Sequence, residues 1–275
     1  MTDHLKDSPL GKISSYQDQY EAGLLFAIPR LEKRQELGIT GAWPFYGEDL
    51  WTAYEVSWLS PSGKPEVAIA EWTIPADSPY LIESKSIKLY LNSFNQTVFN
   101  DCPSVAATIS KDLSEAAGRV VSVQLFSLDE YFEKRPLTKF DGVCLDQQNV
   151  AIQTYENSIN LLRTESEEQV HEVLYSDLLK SNCLVTGQPD WGSVQIAYTG
   201  AKIDRQALLQ YLVSFRLHNE FHEQCVERIF TDIWRACAPK MLSVYARYTR
   251  RGGLDINPIR SSVPMTAPKI RLARQ

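Results

Sequence analysis

Ser181-Asn182-Cys183-Leu184-Val185-Thr186-Gly187-Gln188-Pro189-Asp190-Trp191 places a cysteine seven residues before an acid, with a turn-forming run between them. Thr186, Gly187, Gln188 and Pro189 predict a bend, and the residues after Trp191 read as a strand. A sulfur nucleophile and a proton carrier thus share one segment. A thiolate there requires a polar, partly exposed setting. For a cysteine with no further context the plainer reading, a small buried hydrophobe beside a turn aspartate, prevails.

The context is a repeat. Trp43-Pro44-Phe45-Tyr46-Gly47-Glu48-Asp49-Leu50-Trp51 aligns without gaps on Cys183–Trp191 at an offset of 140, with Gly47 on Gly187 and Trp51 on Trp191. Leu81–Phe99 aligns on Leu208–Val226 at an offset of 127, and Val121-Ser122-Val123 on Leu242-Ser243-Val244 at 121. Three weak matches in one order indicate an internal duplication. In this alignment Cys183, Asp190, His222 and Glu223 face Trp43, Leu50, Asn95 and Gln96, while Glu83-Ser84-Lys85 face Gln210-Tyr211-Leu212. Reactive groups are therefore concentrated in the second copy.

Tyr54–Thr73 reads as a hairpin turning at Pro61-Ser62-Gly63, Ser104–Ala117 as a helix stopped by Gly118, and Val120–Phe126 as a strand. The second copy repeats the scheme with a strand over 192–199, helix over 205–236 and strand over 241–249. Val226, Ile229, Phe230, Ile233 and Trp234 mark one buried helix face. Leu242, Val244, Ala246 and Tyr248 mark one buried strand face. The expected organisation is a polar lead-in over 1–48, a first module over 49–128, a charged irregular connector over 129–170 and a second module over 171–275. Strands surrounding paired helices, twice over, give an α+β class.

The 275 residues are 44% hydrophobic and 23% charged, an ordinary globular composition, and length fits two modules. A net charge of −6 provides no basic footprint for nucleic acid. The polar start lacks a signal-peptide core, and no uncharged apolar stretch reaches the roughly 18 residues of a membrane span. Five scattered cysteines, an odd number without paired spacing, predict reduced thiols in the cytoplasm.

Leu81-Ile82-Glu83-Ser84-Lys85-Ser86-Ile87-Lys88-Leu89-Tyr90 resembles the signature of the NADPH-dependent 7-cyano-7-deazaguanine reductases, the nitrile reductases of queuosine biosynthesis. The resemblance extends through Cys183–Trp191, Phe221-His222-Glu223 and Thr249-Arg250-Arg251-Gly252-Gly253-Leu254-Asp255, in the order of the long, two-module branch. It implies tandem tunnelling-fold modules, with antiparallel sheets and paired helices assembled around a channel, and a homodimer, since open sheet edges call for assembly.

It also implies roles. Cys183 adds to the nitrile carbon, splitting one hard step into easier ones, and Asp190 donates the proton. His222 is a second proton carrier. Glu223 accepts from the two neighbouring donors of the deazaguanine base, Glu83 with Leu81 and Ile82 contributes from the first module, and Phe221 packs on the ring. Ser84, Lys85, Ser86, Lys88, Arg250, Arg251 and Gly252 fit the phosphates of NADPH, two of which are consumed per amine formed; Gly253 allows close backbone approach. No Gly-x-Gly-x-x-Gly follows a strand, so the cofactor rests on the resemblance alone. Leu184, Gly187 and Ile259 depart from the family pattern, where proline, a larger residue and tyrosine are common.

Three other readings stay open. A zinc cyclohydrolase of the same fold would use His218 and His222, four apart, with Cys183 or Cys225, although Glu220 is misplaced for a His-Glu-x-x-His motif and no metal is expected. A Cys-His hydrolase would convert the nitrile without reductant. A non-catalytic module would only bind the base.

Overall fold

The computed structural model describes residues 16–41 and 44–275, so Trp43 of the first aligned block lies outside the described residues. In chain order the first elements are β1 (Ala27–Pro29), α1 (Leu31–Glu36), β2 (Tyr46–Leu59), β3 (Pro65–Pro75), β4 (Tyr80–Ile82), α2 (Ser84–Asn92), α3 (Cys102–Ala117) and β5 (Ser122–Phe126). There follow α4 (Leu128–Lys134), β6 (Val143–Cys144), β7 (Thr164–Asn182), β8 (Pro189–Ile203), α5 (Arg205–Ser214), α6 (His222–Cys237), β9 (Met241–Tyr248) and β10 (Leu254–Ser261). The chain is α+β and divides into two compact units. One holds the described residues up to Glu32 with Leu50–Pro136 and Arg250–Asp255; the other holds Lys33–Asp49, Leu137–Thr249 and Ile256–Gln275.

In the first unit the strand order is β5-β3-β2, with β3 and β5 antiparallel from Ile69↔Phe126 to Thr73↔Ser122. The expected turn is present: the Ser60 and Gly63 amides donate to Lys64 and Ser60 carbonyls, and Gly63 takes φ +79°. α3 starts two residues before its predicted position because Asp101 caps it and Ser104 reciprocates, and it stops at Gly118 with φ +67°.

In the second unit the order is β10-β9-β8-β7-β6, antiparallel except for β6 on β7, so the sheet is mixed. Four expectations change, the first in the segment that ends the first unit. Residues 129–170 are not irregular throughout, since Ser127 and Glu130 form a capping box that nucleates α4. β7 begins at Thr164, concealed by its charged start and by register shifts that break the two-residue alternation. The helix over 205–236 is two helices, interrupted by a single 3₁₀ turn at Phe215–Leu217 and extended backbone at His218. Nor is only one face of β9 buried: Tyr245 and Arg247 are covered by the C-terminal segment, to which the Tyr245 hydroxyl donates at the Pro268 carbonyl (2.8 Å). In the lead-in, β1 and α1 are formed.

The duplication is visible in side chains, in a different register from the sequence alignment. Glu83 caps α2 and Asp204 caps α5, each accepting from the amides two and three residues on. Tyr90 donates to Asp112 (2.6 Å) as Tyr211 does to Asp232 (2.7 Å). Ser93 donates to the Tyr90 carbonyl and Ser214 to the Tyr211 carbonyl, both at 2.6 Å. The Tyr90–Phe94 and Tyr211–Phe215 rings meet edge to face at 5.1 and 5.3 Å. These pairs lie 121 residues apart, or 120 for the two aspartates, not 127. The counterparts of His222 and Glu223, at the start of the second helix of each pair, are therefore Cys102 and Pro103 rather than Asn95 and Gln96. The offset of 140 also fails, because it lays β2, the first strand of one hairpin, on β8, the second strand of the other.

α6 is held by a buried ion network. Arg34 donates through Nε to Glu227 Oε2 (2.9 Å) and through its terminal nitrogen to Oε1 (2.6 Å). Arg260 donates to Glu227 Oε1 at 3.0 and 2.8 Å and to Asp49 Oδ1 at 2.8 Å. Among the described contacts two cations meet two anions, and each charge depends on the others. Glu227→Ala is expected to lower unfolding free energy by about 3–5 kcal/mol, because removing one member of a buried pair leaves its partner uncompensated. Urea denaturation checks this; a loss within about 0.5 kcal/mol would show that the network is not structurally required.

Candidate active site

Cys183 stands where β7 ends. Its amide donates to the Gln188 carbonyl (2.9 Å) and its carbonyl accepts from Gly187 (3.0 Å), closing a four-residue hairpin loop. Gly187 has φ +66° with open space around its α-carbon, so backbone conformation rather than crowding explains the glycine there. The register Asn182↔Pro189 and Ser181↔Asp190 directs Ser181 and Asp190 to one sheet face. Alternation places Cys183 on that face as well. Cys183 is 5% exposed, more enclosed than its sequence suggested, and half-buried Leu184 and Val185 separate it from the exposed run Thr186–Pro189.

α6 brings the remaining groups to this hairpin. Asn182 donates to the His218 carbonyl (2.8 Å) and accepts from the Glu220 amide (3.1 Å), which ties the residues before α6 to the end of β7. His222, the first residue of α6, then sets Nε2 3.2 Å from Asp190 Oδ1. Glu223 is buried in the same turn, where the helix dipole favours a carboxylate. Phe221 is half-buried at the cap position. Cys183, Asp190, His222, Phe221 and Glu223 are thus gathered at one end of the second unit.

His218 does not join them as a helical neighbour of His222, because the chain is extended at His218 and helix begins only at His222. Its Nε2 lies 3.0 Å from Glu220, which also binds Arg228. Those two partners outweigh burial and hold the Glu220 carboxyl below its ordinary range. Cys225 is fully buried, and burial with Glu220 nearby pushes its thiol up to about 12. Among the described residues no group of three His, Cys, Asp or Glu is disposed to hold a metal ion.

The first unit carries a second cluster. Glu83 is buried at the α2 cap, accepting from Lys85 at Oε1 (2.6 Å) and from Ser86 at Oε2 (2.8 Å); burial raises its carboxyl despite those bonds. The Ser86 hydroxyl donates to the Glu83 carbonyl and accepts from Phe26, so it serves the local fold. Leu81 and Ile82 are buried, and Ser84 and Lys85 are half-buried. Arg251 and Leu254 exchange backbone hydrogen bonds across Gly252 (φ +55°) and Gly253 (φ +73°), a tight turn that glycines permit. Lys88, Asn92, Asn95, Glu55, Gly252 and Gly253 line a cavity of about 210 Å³, and Arg250 lies 4.6 Å from the Tyr54 ring centroid. A Cβ on Gly252 would stand 3.1 Å from the Lys88 amine, so the bare backbone is what leaves that amine its place. Lys88 and Gly252 are brought together.

A family model described as nitrile reductase, 7-cyano-7-deazaguanine-reductase N-term, matches residues 16–125, and one described as QueF-like protein matches 189–266. Proteins named NADPH-dependent 7-cyano-7-deazaguanine reductase are similar along the whole chain. Those of Acidovorax ebreus and Polaromonas sp. are each 58% identical over 98% of this chain and 98% of their own. The chain belongs to the 7-cyano-7-deazaguanine reductase family. Another member, from Chromobacterium violaceum, is 57% identical over 98% of this chain and 96% of its own. An archaeosine synthase QueF-Like of known structure aligns at 19% identity with a TM-score of 0.31, over 36% of this chain and 100% of its own, a likeness too low to bear on the fold. Beyond the family's expected residues, strand pairing sets Ser181 and Tyr248 on the sheet face of Asp190. No motif signalled them; only strand register does.

Glu220 generates a pH prediction. A carboxyl held low in the folded state stabilises above its unfolded value, about 4.3, and that contribution is lost as pH falls through the lower folded value. Wild type is expected to exceed Glu220→Gln by about 1–3 kcal/mol at pH 7, with the gap closing below about pH 4. Urea unfolding of both proteins at pH 7 and pH 3 tests this; a gap independent of pH would contradict it.

Proposed function

We propose that the chain reduces the nitrile of 7-cyano-7-deazaguanine to the aminomethyl product with NADPH, as its relatives' name states, in the cytoplasmic synthesis of queuosine. The observation that carries the reading is the buried Asp190–His222 contact of 3.2 Å beside the Cys183 turn. A Cys-His hydrolase would need the imidazole on the sulfur; here Nε2 faces the carboxylate instead.

In this reaction the Cys183 sulfur, as its thiolate, bonds to the nitrile carbon, and the displaced π electrons take a proton from Asp190 at nitrogen, giving a neutral thioimidate and the Asp190 carboxylate. His222 shares protons with Asp190 and restores its acid form between steps. Glu223 accepts from the ring N–H and exocyclic amine of the base, with Phe221 packing on the ring. Leu81, Ile82 and Glu83 remain the first unit's binding residues; Glu83 acts with a carboxylate fixed by its own helix.

NADPH supplies the hydrides. Lys88 with Gly252 forms the best-fitted element for a phosphate, because the glycine leaves the amine room, while Glu55 in the same cavity suits a hydroxyl. Ser84, Lys85, Ser86, Arg250 and Arg251 complete the proposed set, Ser86 by shaping the α2 start. The finer architecture, tunnelling-fold modules closed around a channel in a homodimer, belongs to this proposal and is supported by the family.

Incubation with the cyano compound alone, without NADPH, is expected to add its full mass to the peptide containing Cys183. Cys183→Ala is expected to bind the compound without the adduct. Absence of any mass gain in protein that turns over would reject the covalent route. In parallel, Glu223→Ala is expected to raise the dissociation constant about 100-fold, the loss of a charged hydrogen-bond acceptor, whereas Asp190→Ala mainly slows turnover. Calorimetry and steady-state rates separate the two effects; matched losses in both variants would undo that division.

A further inference from the structure

Two buried hydroxyls beside Asp190 have no role in the steps above. Ser181 is its direct partner on β7, and Tyr248 on β9 is the partner of Gly192, two residues further along β8. Strand alternation therefore sets Ser181, Asp190 and Tyr248 on one sheet face, the face on which α6 places His222 and Cys225. Gly192 makes the arrangement possible: a Cβ there would lie 3.1 and 3.3 Å from two carbons of the Tyr248 ring. That ring packs on the His222 imidazole with centroids 4.1 Å apart.

Ser181 and Tyr248 are both 0% exposed, yet neither hydroxyl completes a hydrogen bond of ordinary geometry among the described residues. Buried hydroxyls without partners are costly and uncommon. The Tyr248 hydroxyl interacts with the Cys225 thiol and the Ser181 hydroxyl and lies within electrostatic reach of Asp190, and burial keeps it protonated, a donor well above the ordinary tyrosine range. The other groups around Asp190 are His222, Glu223 and Cys225 on α6, Lys180 on β7 and Cys183 at the hairpin turn.

We propose that Tyr248 and Ser181 are positioning residues for Asp190, donating hydrogen bonds to its carboxylate after it has released a proton, while the Tyr248 ring holds His222 in line. The inference rests on the proton-donor reading of Asp190. In the step it serves, the Asp190 O–H bond breaks as sulfur bonds to the nitrile carbon, the proton goes to nitrogen, and the electron pair stays on the carboxylate. The two hydroxyls turn toward that charge without giving up their own protons. Donors that wait for the carboxylate favour its charged form and strengthen Asp190 as an acid.

Tyr248→Phe removes the hydroxyl and keeps the ring. Carbon-13 labelling of aspartate carboxyls should show the Asp190 midpoint, assigned by its loss in Asp190→Asn, about one unit higher in ligand-free Tyr248→Phe, equivalent to a tenfold weaker acid. Turnover of the cyano compound should fall about tenfold with KM unchanged, and the alkaline limb of the rate profile should move upward. Ser181→Ala should shift the midpoint in the same direction by less, and provides the measurement if Tyr248→Phe is not obtained folded. An unmoved Asp190 midpoint in the folded variants overturns the proposal, whatever the activity. If wild type consumes no NADPH with the cyano compound, the reductase reading fails, and the titration still decides the role of the hydroxyls.

Discussion

The Glu227 carboxylate, shared by Arg34 and Arg260, is the constraint on which the second unit's site depends. Glu227 lies one helical turn beyond Glu223, so the rotation that seats it among the guanidinium groups also orients Glu223 and His222. Arg260 is fixed in turn by Asp49, and Phe45 lies between the two arginines at 5.4 and 5.6 Å. A buried ion cluster adds little net stability compared with a well-packed apolar core. Its value lies in geometry: an apolar contact tolerates a small helix rotation, whereas four mutually dependent charges do not.

The N-terminal end of α6 is set independently. The backbone exchange between Asn182 and the His218–Glu220 segment ties the helix start to the hairpin bearing Cys183 and Asp190. Glu220, held by His218 and Arg228, stiffens that segment. The helix is thus fixed at its first residue and again one turn in, which gives the Asp190–His222 contact two separate supports. In the first unit the paired helices repeat the tyrosine–aspartate brace, but Cys102-Pro103 begin the second helix. The shared scaffold is the brace; His222 and Glu223 stand at the start of only one of the two second helices.

Much of this was legible in the sequence, for reasons that differ by element. Gly63 and Gly118 marked a turn and a helix end because positive φ leaves little choice of residue. Cys183, Asp190, His222 and Glu223 were legible as a set through the family's motifs, and the fold gathers them. The true repeat register was not legible, because the matching features are a Tyr–Asp bond, a serine–carbonyl bond and two caps, which identity scoring does not register. β7 was concealed by its acidic start and bulges, and the break between α5 and α6 carries no proline or glycine to announce it. Tyr248 was legible as a buried strand residue, but neither it nor Ser181 signalled a place beside Asp190, since that relation exists only after three strands pair.

The two cysteines near this site show how burial divides labour between identical groups. Cys225 lies inside α6 with no exposure, and both desolvation and Glu220 oppose its ionisation, leaving it a thiol at any physiological pH. Cys183 lies four residues from the solvent-exposed end of a hairpin, on the face that carries Asp190, where an incoming ligand meets sulfur, acid and imidazole on one side. Chain geometry separates the two: a helix interior makes the Cys225 sulfur a packing atom, and a strand end at a glycine turn sets Cys183 next to an exposed loop. Gly187 and Gly192 therefore shape this face although neither has a side chain. The first closes the turn that presents Cys183, and the second clears the space in which Tyr248 reaches across to His222.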